Sequence, residues 1–159
     1  MGSFPRLRPG GWCITGEPDA SYNCYAWTIG SMSRFLYGEE VDRDYGDGNG
    51  RPEIADFDAF YSRRGLQPGG SLGNSAVEVA LYGRGTLVLH AARKSSAPCG
   101  FAFESKLGRD FRIVHDAGQL EDGSYGNLIR FYVRRPPTMA PPRTPRPPRV
   151  PVREESPPS

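Results

Sequence analysis

The order of signals along the chain predicts an α+β fold, with N-terminal helices packed on an antiparallel sheet of about five strands. Three observations carry that expectation. Before residue 65, apolar side chains recur at helical spacing: Tyr25, Ile29, Met32 and Leu36, then Ile54, Phe57, Phe60 and Tyr61. From residue 76 onward, runs rich in β-branched and aromatic residues replace that period. Short turns such as Gly83-Arg84-Gly85 separate those runs, so successive runs should pair as hairpins.

The elements follow in order. Residues 1–11 are rich in Pro, Gly and Arg and read as a flexible lead-in. Asp19 or Ser21 can cap a helix that begins near Cys24 and runs toward Leu36. Residues 37–52 are acidic and Gly-rich and read as an exposed loop. Within it, Gly46-Asp47-Gly48-Asn49-Gly50 has neither the acidic spacing nor the terminal Glu of an EF-hand, so no metal is expected there. A second helix spans about 53–64, and Gly65 is suited to stop it. Residues 66–75 read as a loop, and strands are expected at 77–82, 86–93, 101–106, 111–115 and 125–133. One domain over 12–135 accounts for all of them.

Residues 136–159 read as a disordered extension. Ten of the 16 prolines lie between 134 and 159, with few large apolar residues to offset the entropy of ordering. Charge divides at the same place. The chain has 20 Lys and Arg against 18 Asp and Glu; six Arg and two Glu fall in 134–159, leaving the body at 14 against 16. A body that is not basic is not built as a nucleic-acid binder. No apolar run reaches the ~18 residues of a membrane span, and no secretory leader stands at the N-terminus, so the expected location is cytoplasmic, with non-classical export as an effector the alternative. Three cysteines without a CxxC pair form neither a disulfide framework nor a zinc ribbon, and no cofactor-binding fingerprint is present.

The chemistry-bearing candidates begin with Cys24. A cysteine in the first turn of a helix feels free N–H groups and the positive end of the helix dipole, which favour the nucleophilic thiolate. His90, on a strand downstream, is the natural base. Glu104, Ser105 and Lys106 on the next strand are candidates to orient the imidazole, and the spacing does not choose among them. His115 is an alternative base or orienting group. Asn23 could support an oxyanion or simply cap the helix, and Arg93 could bind an acidic substrate group or end its strand in solvent. Against all of this stands a plainer expectation: free Cys and strand His are commonly buried structural residues.

Tyr22-Asn-Cys-Tyr-Ala-Trp27, Ala80-Leu-Tyr82, His90-Ala-Ala-Arg93, Ser105-Lys-Leu-Gly108, His115 and Tyr125-Gly126 together resemble the motifs of a family of uncharacterised bacterial proteins, over about residues 14–135. That family is similar in plan to papain-like thiol hydrolases, above all the compact NlpC-type and CHAP-type amidases. The resemblance implies a Cys24–His90 pair, oriented by a residue near Glu104–Lys106, acting on an amide in a peptide, isopeptide or peptidoglycan stem. The same chemistry could serve a toxin or effector. The alternative is a non-catalytic interaction module that recruits a protein partner through the Pro/Arg-rich tail, whose prolines favour polyproline II.

Overall fold

Seven runs of the chain pair into one antiparallel sheet in the computed structural model, which describes residues 4–71, 73, 76–96 and 100–136. The strands are β1 (Trp12–Gly16), β2 (Leu66–Pro68), β3 (Val77–Arg84), β4 (Leu87–Lys94), β5 (Phe103–Lys106), β6 (Arg112–His115) and β7 (Asn127–Arg134). Their spatial order is β1-β6-β5-β4-β3-β7-β2. The hairpins β3–β4 and β5–β6 are local, as the turn residues anticipated. Both edges are long-range: β1 pairs with β6, and β2 pairs with β7. The five expected strands are thus present, and two short edge strands at 12–16 and 66–68 raise the count to seven.

Helices cover one face of the sheet. They are α1 (Cys24–Thr28), α2 (Gly38–Tyr45) and α3 (Ile54–Ser62). α1 lies against β4 and β5, while α3 contacts α2 and β2. Their shared core joins Tyr25, Trp27, Phe57, Phe60 and Tyr61 to Val79, Leu81 and Ala91 of the sheet. The opposite face has its own core of Ala80, Tyr82, Ala92, Phe103 and Ile113, roofed by Phe4, Leu7 and the 3-10 turn Ala117–Leu120.

Three local expectations change. The first helix stops at Thr28 instead of reaching Leu36. Gly30 sits at φ +80, and the Ile29, Gly30 and Ser31 amides donate back to the Ala26 and Trp27 carbonyls, closing the helix end. Met32, expected on the buried face, is 51% exposed. The acidic segment 37–52 is not all loop, because α2 occupies Gly38–Tyr45. There the Tyr37 amide donates to Glu40 Oε1 at the N-terminal end, and Val41 is fully buried. The lead-in is not loose throughout: Phe4 and Leu7 are buried, and the Phe4 ring lies 5.1 Å from that of Tyr125. The Pro/Arg-rich tail beyond 136 lies outside the described residues, as does Cys99.

Candidate functional site

Alternation along the strands divides the sequence-derived site in two. Successive side chains of a strand point to opposite faces, and cross-strand partners share a face. Arg93, Glu104, Lys106 and Arg112 face the helices, as the registers Arg93↔Glu104 and Lys106↔Arg112 require. His90, Ser105 and His115 face the other way, toward Tyr82 and Tyr125.

Cys24 begins α1 on the helix-covered face and is buried. Burial pushes its thiol up to about 12, although the N–H groups of Ala91, Tyr25 and Cys24 itself pull the other way. Five residues of helix and a few amides do not outweigh desolvation. Asn23 is spent on structure. Its Oδ1 accepts from the Ala26 amide, capping α1, and also from the Leu36 amide at 3.1 Å, while its Nδ2 donates to the Leu36 carbonyl at 2.6 Å. Asn23 therefore ties the helix start to the chain that leaves it, which is the capping role.

The charged row beside α1 is organised around Trp27. The Arg93 guanidinium lies 3.8 Å from the centre of the Trp27 ring and that of Arg112 lies 4.2 Å from it. Glu104 stands between the two arginines and pairs with Arg112 at 3.3 Å. Arg112 also donates to Thr15 and to the Tyr22 hydroxyl, binding β1 and the approach to α1. Lys106 has a fully buried side chain. Its Nζ donates to the Asp19 and Gly108 carbonyls at 2.5 and 2.6 Å and lies over the Tyr22 ring. Neither Glu104 nor Lys106 touches His90: Glu104 pairs across the strands, and Lys106 pins loop carbonyls to the sheet.

The three polar residues on the opposite face form a directed hydrogen-bond chain. His115 Nδ1 lies 2.8 Å from the Asp116 carbonyl, so Nδ1 carries the proton and Nε2 accepts. Ser105 must then donate its hydroxyl proton to His115 Nε2 at 2.7 Å and accept from His90 Nε2 at 2.9 Å. That leaves His90 Nδ1 a bare acceptor, and it has no hydrogen-bond partner. The His90 ring stacks on Tyr125 at 3.9 Å with an interplanar angle of 2°. Both histidines are fully buried. Burial holds His90 well below its ordinary pKa and lowers His115 to about 4. Ser105 does contact His90, as expected, but it orients a histidine on the far side of the sheet from Cys24.

The expected Cys24–His90 pair is therefore not assembled. Cys24 packs with Ala91, one residue along from His90, and that single step reverses the face.

Two features escaped the reading of the sequence. A cleft of about 720 Å³ opens at the C-terminal end of α1, with Thr28, Tyr61, Arg64, Glu78, Arg93 and Arg134 on its walls. These residues are scattered over 28–134, and only Arg93 carried a local hint. The second is a trio of carboxylates, Asp42, Asp47 and Asp56, with one oxygen from each within 4.8 Å of the others. Asp47 stands in the Gly-rich loop, whose spacing does not match an EF-hand. The other two lie on helices whose approach only the tertiary fold reveals.

Fold and site together define a single-sheet α+β domain that keeps its polar residues in two separate layers. The chain belongs to the family described as a domain of unknown function, DUF7689, whose model matches residues 13–133. No curated protein and no solved structure matches the chain. No helix among the described residues is long and apolar enough to cross a membrane.

Proposed function

We propose that the protein is a binding module that receives an acidic group of a partner in the cleft beside α1, and that Cys24 is structural. The cleft carries this reading: Arg64, Arg93 and Arg134 line it, against the single carboxylate of Glu78. Arg93 is the anchor. It is half-buried, held on the Trp27 ring and donates to the Trp27 carbonyl at 3.2 Å. A guanidinium fixed in this way meets a carboxylate or phosphate with little further ordering cost. Thr28 and Tyr61 add hydroxyls at the same wall, 2.6 Å from each other.

The papain-like plan of a cysteine-opened helix on an antiparallel sheet fits as far as α1 lying on β4 and β5. Thiol hydrolysis on that plan needs a base beside the sulfur, and the side chain of His90 points away from it. A thiol held up to about 12 is also a poor nucleophile at neutral pH.

Two measurements test the reading. Calorimetric titration of the full chain at low salt with inorganic phosphate and with a Glu-rich peptide should show binding that Arg93→Gln abolishes. Absence of heat with both probes would remove the cleft from consideration. Iodoacetamide labelling at pH 6, followed by mass spectrometry, should leave Cys24 unmodified in the folded chain. Rapid alkylation of Cys24 there would restore the thiol-enzyme reading.

A further inference from the structure

We propose that Asp42, Asp47 and Asp56 form a binding site for a divalent cation, calcium by their chemistry, which clamps α2 to α3. The site is independent of the cleft. Asp42 lies in α2, Asp56 in the first turn of α3, and Asp47 in the loop between them. One carboxylate oxygen from each is within 4.8 Å of the other two. An ion centred among them would lie no more than about 2.8 Å from each, near the ~2.3–2.6 Å usual for calcium.

Burial and unmet bonding point to a ligand. Asp42 is 1% exposed and Asp56 is 5% exposed, an unusual depth for carboxylates that pair with no basic side chain among the described residues. Asp42 Oδ2 accepts from the Gly50 amide at 2.7 Å, and Asp56 Oδ2 accepts from the Glu53 amide at 2.9 Å. Asp42 Oδ1 is buried and has no hydrogen-bond donor among the described residues. Two neighbouring buried carboxylates, one of them with an orphaned oxygen, repel each other unless a cation or a shared proton lies between them.

The backbone is shaped around the same group. A Cβ at Gly46 would collide with Asp56 Oδ1, so only glycine lets the loop close over this carboxylate. The donor set is all oxygen, with no His or Cys, which selects hard cations over zinc or copper. Three carboxylates suit calcium better than magnesium, which keeps its water and uses one or two. The geometry differs from an EF-hand, since the ligands come from two helices and the loop joining them.

The test is calorimetry and thermal unfolding of the full chain, stripped with EGTA and then titrated with calcium chloride. Calcium should bind with measurable heat and raise Tm by mass action. Asp47→Asn removes an exposed ligand with little risk to folding, and it should weaken binding about tenfold or more. Asp42→Asn should abolish the calcium response. A wild-type chain with no heat and the same Tm in calcium and EGTA would overturn the proposal. So would a rise in Tm on Asp42→Asn in EGTA without any calcium response in the wild type, because the carboxylates would then be sharing a proton.

Discussion

The chain from Asp116 through His115 and Ser105 to His90 fixes the tautomer of every member, and it makes an acid-sensitive fold. His115 has its pKa lowered to about 4 in the folded protein, against 6.5 when free. Between those values the unfolded chain binds more protons than the folded one, so stability rises with pH through that window and is lost as pH falls through it. From the shift in pKa, protonating buried His115 costs the fold about 3 kcal/mol in acid, a penalty that is absent above its unfolded value. His90 acts in the same direction. Urea unfolding from pH 4 to 7 should show this slope, and His115→Gln should flatten it relative to wild type. The residue types were legible in the sequence, since His90, Ser105 and His115 were singled out and do meet. Their face was not. On β4, His90, Ala91 and Ala92 are all fully buried, so no alternation of polar and apolar residues marks which side points where.

At the scale of elements, legibility followed periodicity. α3 and the five expected strands announce themselves because each repeats its period over several residues. α1 was placed at its correct start and extended too far, because Met32 and Leu36 continue a helical spacing that Gly30 interrupts. The Gly30 backbone is at φ +80 with open space where a Cβ would stand. Gly30→Ala should therefore cost about 1 kcal/mol from backbone conformation alone, with no steric clash. Thermal unfolding of that variant against wild type measures it directly. α2 was hidden for a different reason. Its buried apolar surface rests on Val41, with Tyr45 packed at the edge of the core, inside a segment whose charge and glycines resemble a loop. β1 and β2 were hidden because an edge strand of three to five residues gains its identity from a partner far away in sequence.

For the whole molecule, the N-terminal segment matters more than its composition indicated. Phe4 and Leu7 close the sheet face that carries the histidines, where no α-helix lies among the described residues. Phe4→Ala should lower stability by about 2 kcal/mol, the scale of an apolar side chain returned to water with some collapse around it. Its ring packs on Tyr125, which stacks on His90, so the loss should also appear as faster hydrogen exchange at β4. Unchanged exchange at β4, with a fall in Tm alone, would show that the roof is separable from the histidine layer.

The strand order has a temporal meaning. During synthesis β1 leaves the ribosome well before its neighbour β6, which emerges about a hundred residues later, and β2 must wait for β7. The nascent chain can zip β3 to β4 early, while both margins of the sheet stay unmatched until β6 and β7 emerge. Such sequence-distant closures slow folding. The period in which the two margins are exposed to wrong pairing is therefore set by how quickly residues 112–134 clear the exit tunnel.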